Sequence, residues 1–390
     1  KKRWSALQNA KDKAFKTPVE MKVFSYDAAG YKTVKMSPMD SIRYHNMHLQ
    51  LGSVSVDPRT GYVKTWVGGI GHQYFKFDHI NSSRQVGSTF KPFVYLTEII
   101  EHGTSPCLKV KDQQYAITTE DPGFSISKTW APKNASGFTN ETITLKEGLK
   151  KSLNSISVYL MKEIGNVEPV RNFTSRLGIP KKKIPPYPSI ALGTPELSVM
   201  EMAGAYTTFA NNGIYTSPEY IKTIEDANGR VIYVSKQAKK RAITPGYNYV
   251  MVDMLKYAQG FAGSRAGLKS EFGGKTGTTN DHKNGWFMGI TPELVVATWV
   301  GGDNEWIRFR DLRYGQGGVM ARPFCTRFFS MLESDPKIGF DTNARFAIPD
   351  VIEVNTDCSI YAEMEADDLK AQEEEEKQKR AEENEIDEEF

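Results

Sequence analysis

Apolar and polar positions alternate in two strong blocks, one toward each end of the chain. Val54-Ser-Val-Asp57 and Tyr62-Val-Lys-Thr-Trp-Val67 flank Pro58-Arg-Thr-Gly61, and two alternating runs around a Pro/Gly turn predict a β-hairpin. Trp286-Phe-Met-Gly-Ile290 and Leu294-Val-Val-Ala-Thr-Trp-Val300, joined by Thr291-Pro-Glu293, predict a second. Between them the period shifts toward that of a helix. Phe93 to Ile100 is helical in pattern. Thr144-Leu-Lys-Glu147 has the form of a capping box and opens a helix through Leu145, Leu149 and Leu153. Further helices are expected over Ile156–Ile164, stopped by Gly165; from Pro169 to Leu177, with Gly178 and Pro180 beyond; and over Glu201–Ala210, ended by Asn211-Asn212-Gly213. One sheet assembled from both ends, with helices packed on it, buries both sets. The expected fold class is α+β with mostly antiparallel pairing.

Residues 1–50 are polar and weakly patterned, with a strand expected at Val19–Ser25 and a helix opening at Ser37-Pro-Met-Asp40. His45 and His48 share one face of that helix. No third ligand lies nearby, so an amphipathic face is expected there and no metal. Gly68-Gly-Ile-Gly71 fails as a dinucleotide fingerprint, because Tyr74 occupies the third glycine position and no helix opens. Residues 1–50 read as a linker or interdomain remnant, 51–345 as the main domain, and 346–390 as an extension with an acidic tail.

Composition narrows the classes. Apolar residues make up 39% of 390 and charged residues 25%, which is enough for a sizeable core. No run of about 18 apolar residues exists, so no bilayer span is expected. The basic start Lys1-Lys2-Arg3-Trp4 lacks an apolar stretch behind it and is no signal peptide, and the chain reads as beginning inside a longer protein. Residues 363–390 hold 14 acidic and 4 basic side chains, so the rest of the chain carries +13 against an overall +3. That tail is expected to be disordered or a solvated helix. The basic body suits an anionic polymer, although no basic stripe interleaved with aromatics marks nucleic acid. Cys107, Cys325 and Cys358 show no CxxC spacing, so a disulfide framework and a zinc site are not expected, and most should be buried apolar residues.

Three Ser-x-x-Lys quartets occur: Ser88-Thr-Phe-Lys91, Ser125-Ile-Ser-Lys128 and Ser334-Asp-Pro-Lys337. The second and third sit in turn sequences. Ser88 follows Gly87 and leads into a helical run, so Lys91 should share its face. Pro92 biases Lys91 away from helical geometry at a cost of about one hydrogen bond. A serine hydroxyl needs a base, and a lysine serves only when burial or a second cation keeps it neutral. Lys275, in Lys275-Thr-Gly-Thr278, is a candidate second cation. Ser152-Leu-Asn154 closes the capped helix pattern between the two motifs.

The order SxxK, SxN, KTG resembles the active-site set of penicillin-binding proteins and serine β-lactamases. The flanks, among them Arg84-Gln-Val-Gly-Ser-Thr-Phe-Lys-Pro-Phe-Val-Tyr95, Ala191-Leu-Gly193 and Gly274-Lys-Thr-Gly-Thr-Thr-Asn-Asp281, resemble the transpeptidase domain of class A, bifunctional penicillin-binding proteins. The likeness runs over about residues 37–335. It departs where that family often has an acidic residue before a Trp-Phe pair and this chain has Asn284-Gly285.

The resemblance implies a β-lactamase/transpeptidase-like fold and a peptidoglycan D,D-transpeptidase acting through a serine acyl-enzyme. Ser88 would be the nucleophile, Lys91 its base, Ser152 a proton relay and Asn154 an orienting group. Lys275, Thr276, Gly277 and Thr278 would hold the substrate carboxylate, with the Ser88 and Thr278 amides as oxyanion hole. Stem peptides and β-lactam antibiotics would be the partners, with no metal, cofactor or nucleic acid. The domain would work extracytoplasmically, in a parent with a membrane anchor and a glycosyltransferase domain. The rival readings are a serine β-lactamase or D,D-carboxypeptidase, with Glu196 and Glu201 as the carboxylates to test as deacylation base, and a non-catalytic penicillin-sensing or wall-binding module.

Overall fold

A computed structural model describes residues 2–360. The acidic tail read from the sequence lies outside the described residues.

The chain opens with helix α1 (Lys2–Lys16), the hairpin β1 (Val19–Phe24) and β2 (Tyr31–Met36), and helix α2 (Pro38–Asn46). Helix α1 escaped the sequence reading because its apolar Trp4, Leu7 and Phe15 are exposed and no buried stripe marks it. Helix α2 starts as expected, with the Ser37 hydroxyl accepting from the Asp40 amide. His45 and His48 turn their Nδ1 atoms to backbone carbonyls one turn back, at 2.7 and 2.9 Å, and pack among aromatic rings.

Strands β3 (Gln50–Val56) and β4 (Val63–Val67) form the first predicted hairpin. Four two-stranded pieces follow: β5 (Arg84–Gln85) with β8 (Glu196–Leu197), β6 (Lys109–Lys111) with β7 (Thr142–Thr144), β9 (Ile214–Thr216) with β12 (Lys239–Arg241), and β10 (Thr223–Glu225) with β11 (Val231–Val234). The central helices are α3 (Lys91–His102), α4 (Leu145–Lys151), α5 (Asn154–Ile164), α6 (Glu168–Arg176), α7 (Val199–Ala210) and α8 (Pro245–Arg265). Strands β13 (Gly273–Thr278), β14 (Asn284–Ile290) and β15 (Val295–Gly301) and helices α9 (Gly317–Met320) and α10 (Arg322–Ser334) complete the set.

The main sheet is antiparallel with order β13-β14-β15-β3-β4, so the two ends do join, with Ser53 opposite Thr298. Every residue of β14 and β15 is buried. Trp286, Met288, Val295, Ala297 and Trp299 face one core with α3, α5, α7 and α8, while Phe287, Val296 and Val300 face a second with Phe272, Cys325 and Phe329. A period of two distributes the strand side chains between two apolar layers, which is why both hairpins read so strongly. The 21-residue α8 was missed for the opposite reason: it is apolar on most sides and lacks a single stripe.

Two sequence expectations need correction. Cys107 and Cys358 are joined in a disulfide across 251 residues, and only Cys325 is a buried free thiol. Spacing carried no trace of the pair because the tertiary fold alone brings residue 358 back. Near Thr144, half of the expected capping box forms: its hydroxyl accepts from the Glu147 amide, but the Glu147 carboxylate takes the Tyr257 hydroxyl at 2.7 Å. The reciprocal box forms at Ser198 and Glu201.

Candidate active site

Ser88 lies in a single 3₁₀ turn, Gly87–Phe90, that feeds α3. Lys91 has helical φ/ψ of −54° and −40°, and Pro92 falls in the first turn of α3, where a proline amide would have no partner anyway. The expected penalty at Pro92 is therefore absent. The turn is fixed from below. The Tyr206 hydroxyl donates to the Thr89 carbonyl at 2.7 Å, and the Thr89 hydroxyl donates to the Val86 carbonyl at 2.8 Å. Gly87 has φ +55°, and a Cβ there would stand 2.6 Å from the Thr278 carbonyl oxygen. That close approach seats the Ser88 turn on the end of β13.

The Ser-x-Asn motif straddles a helix break. Ser152 caps α4 in the left-handed region (φ 59°, ψ 38°), which is uncommon for a residue with a side chain and costs about 1 kcal/mol or more. This conformation turns its carbonyl oxygen to Lys91 Nζ at 2.7 Å and its hydroxyl to Lys275 Nζ at 2.8 Å. Asn154 opens α5 and accepts from Lys91 Nζ through Oδ1 at 2.9 Å. Lys275, on the edge strand β13, also donates to the Thr276 carbonyl at 3.1 Å.

Both lysines are fully buried. Burial, followed by the charge of Lys275, pushes Lys91 well below the usual lysine range. Burial alone brings Lys275 down to about 7.

Sequence reasoning missed the group that holds this motif. Asn134 Oδ1 accepts from the Asn154 and Ser155 amides at 2.7 and 3.0 Å, satisfying two amides at the start of α5. Asn134 Nδ2 donates to Asp112 at 2.7 Å, and Asp112 also accepts from Ser155 Oγ at 2.6 Å and from the amide and hydroxyl of Thr139. Burial works against the Asp112 charge, but these hydrogen bonds outweigh it and leave its pKa below the usual carboxylate value. Asp112 and Asn134 lie in loop sequence far from any motif, and nothing in their spacing could have marked them.

Ser88 opens onto two lobes of one cleft. The larger encloses about 1000 Å³ and includes Ser152, Asn154, Thr276, Thr278, Gln259 and Arg322. The smaller, about 320 Å³, includes Trp130, Leu192 and Asn280. Gly277 does not line either lobe. It is buried, and a Cβ there would meet the Val86 carbonyl at 2.7 Å and Thr89 at 2.9 Å. At the expected departure, Asn284 Oδ1 accepts from Trp299 Nε1 at 2.8 Å and Nδ2 reaches Thr279 Oγ1 at 3.3 Å, so an amide makes the local bonds. Ser125 lies in a loop and Ser334 ends α10. Glu201 is taken up by its own helix cap and by Lys183 at 2.7 Å, Glu196 is exposed on β8, and neither lines the cleft.

Comparison with known proteins gives the family and the fold. Residues 52–305 match the family model described as the penicillin binding protein transpeptidase domain, and residues 2–49 match that of the penicillin-binding protein middle domain. Penicillin-binding protein 1A of Neisseria meningitidis is 35% identical over 285 residues, which is 70% of this chain and 35% of that protein. The Pseudomonas aeruginosa protein of the same name is 28% identical over 341 residues, covering 73% of this chain and 40% of the relative. The chain thus spans little more than a third of these relatives. Among solved structures, penicillin-binding protein 1A from Haemophilus influenzae superposes with a TM-score of 0.68 at 22% identity, over 83% of this chain and 51% of that one. The PonA1 protein from Mycobacterium tuberculosis in complex with penicillin V gives 0.65 at 22%, over 90% and 93%. These likenesses carry the fold, and the sequence matches carry the family: the chain belongs to the penicillin-binding protein transpeptidase family.

Proposed function

We propose that this chain is the D,D-transpeptidase domain of a class A penicillin-binding protein and cross-links peptidoglycan stem peptides. The observation that carries this reading is the pair of buried lysines meeting at Ser152 beside a cleft that opens on Ser88. A lysine stripped of water and facing a second cation loses its proton more readily than an exposed one, and the neutral amine can act as base.

In the proposed reaction, Ser88 Oγ attacks the carbonyl between two D-alanines while its proton passes to Lys91. The Ser88 and Thr278 amides hold the oxyanion, and Ser152 relays the proton to the leaving D-alanine amine. A neighbouring stem's amine then attacks the ester, gives up a proton to the same network and frees Ser88. Thr276 and Thr278 offer hydroxyls to the substrate carboxylate. A β-lactam acylates the same serine. A β-lactamase reading is disfavoured because Glu196 and Glu201 stand outside the cleft, leaving water without the expected base. The disulfide fits an extracytoplasmic domain, and the membrane anchor and glycosyltransferase domain belong to the proposed parent.

Incubation with a fluorescent penicillin tests this. Wild type and Ser125→Ala should take the label and Ser88→Ala should not. The ester should then persist for minutes to hours by intact mass, a deacylation barrier of roughly 20 kcal/mol or more. Label retained on Ser88→Ala, or an adduct lost within a second, would sink the assignment.

A further inference from the structure

The larger lobe of the cleft holds cations that are not equivalent. Lys275 spends its ammonium on buried contacts and does not line the cleft. Lys150 and Lys151 do line it, but both face Glu147, at 3.5 and 3.6 Å. Asp281, another lining acid, is engaged by Arg308 at 2.9 Å. Arg310 lines it too, but is exposed to solvent. Arg322 is different. It is half-buried, and among the described residues no carboxylate pairs with it. Its Nη1 donates to the amide oxygen of Gln259, itself buried, at 3.3 Å, and its guanidinium lies 5.5 Å from the Phe261 ring centroid. Gly318 lies against it, where a Cβ would make ordinary contact with the guanidinium at 3.8 Å.

A half-desolvated guanidinium fixed by an amide and a ring, with its charge uncompensated, is an anion receptor awaiting its anion. Burial first, and then Arg265, lower the Arg322 pKa, so a second positive charge adds to the field at this end of the lobe. Thr276 and Thr278 supply hydroxyl donors on the wall of the same lobe.

We infer that Arg322, held by Gln259 and Phe261, forms an anion subsite in the larger lobe that receives a carboxylate of the acyl donor. The inference rests on the transpeptidase reading of the cleft and adds a specificity determinant to it. The carboxylate has two sources: the terminal carboxylate of the donor, which the ring carboxylate of a penicillin imitates, or one borne on a donor side chain. With Lys275 committed to Ser152 and Arg310 exposed to solvent, Arg322 supplies the partly desolvated positive charge that the lobe offers to either.

The test measures second-order acylation of Ser88 by three ligands: a penicillin, its methyl ester, and a penicillin carrying a second carboxylate on its acyl side chain. Arg322→Gln is compared with wild type and with Arg322→Lys. Arg322→Met, which keeps an apolar stem over Phe261, replaces the Gln variant if that fails to fold. A loss of about tenfold or more with the free acid, absent with the ester and partly restored by lysine, places the ring carboxylate in the subsite. A loss seen only with the second carboxylate assigns the subsite to a donor side chain. Equal loss with the ester, or no loss with any ligand, overturns the inference while Ser88 labelling of wild type leaves the transpeptidase reading standing. A wild type that takes no label overturns both.

Discussion

Lys91 and Lys275 are taken wholly out of water, and among the described residues neither pairs with a carboxylate. Carbonyl, amide and hydroxyl oxygens satisfy their protons but cannot neutralise two charges, so the pair holds at most one proton near neutrality. Both folded values are depressed, Lys275 to about 7. Acylation should therefore be flat through the range where an ordinary lysine titrates, and fall only on the acid side as Lys91 takes up a proton. Rate constants for penicillin acylation between pH 5 and 9 check this. A rate still climbing toward pH 10, where an ordinary lysine titrates, would mean that neither lysine is the base. Stability runs the same way. The unfolded chain binds more protons between the depressed values and the ordinary lysine pKa, so these groups destabilise the fold most at the acid end and cease to do so as pH rises past about 10.

At the scale of elements, the site is a meeting of ends: the turn before α3, the break between α4 and α5, and the edge strand β13. Asn134 sets the middle one by holding the first amides of α5, so Asn134→Ala should disorder Ser152 and Asn154 without removing either. The expected outcome is an acylation rate lowered by about tenfold or more and a loss of roughly 1–3 kcal/mol in stability, from buried amides and an Asp112 left short of partners. Denaturant unfolding and labelling of the same sample measure both. Unchanged acylation would make the Asp112 cluster a packing feature only. Asp112 contributes stability that is full above about pH 4 and is lost as pH falls through its depressed folded value, so Asp112→Asn should flatten the acid limb.

The elements that position the site differed in how far the sequence revealed them. Ser88, Lys91 and Lys275 could be found because local order fixes their setting: a glycine, a turn and a helix start, or a strand beside a hairpin. Asn134, Asp112 and Arg322 could not, because each acquires its partner only when distant loops and helices close. Gly277 was expected to bind substrate, but it lines neither lobe, and its need for a glycine comes from a carbonyl 2.7 Å from where a Cβ would stand, which only the tertiary structure reveals.

Across the whole molecule, the chain beyond β15 returns to the body. Phe346 and Val354 are buried in the main core, the Phe346 amide donates to Glu271 at 2.7 Å, Ser105 Oγ donates to the Asn355 carbonyl at 2.9 Å, and Cys358 is tied to Cys107. Opening the disulfide frees a long loop in the unfolded chain, for a cost of roughly 2–4 kcal/mol. Cys107→Ser with Cys358→Ser should lower the melting temperature by several degrees and leave Ser88 labelling at room temperature intact. A labelling loss without a thermal shift would instead tie this strap to the cleft.

The pairing of β3 with β15 also governs the order in which the protein can come into being. Strand β3 lies between β4 and β15, and its partner Thr298 is made 245 residues after Ser53. Until β15 has been made, one hydrogen-bonding edge of the first hairpin has nothing native to pair with. The sheet is completed late, and the closing of so long a loop falls in the slow regime of folding. A polypeptide whose central sheet waits for its last strands remains threadable until Val295–Gly301 has been made.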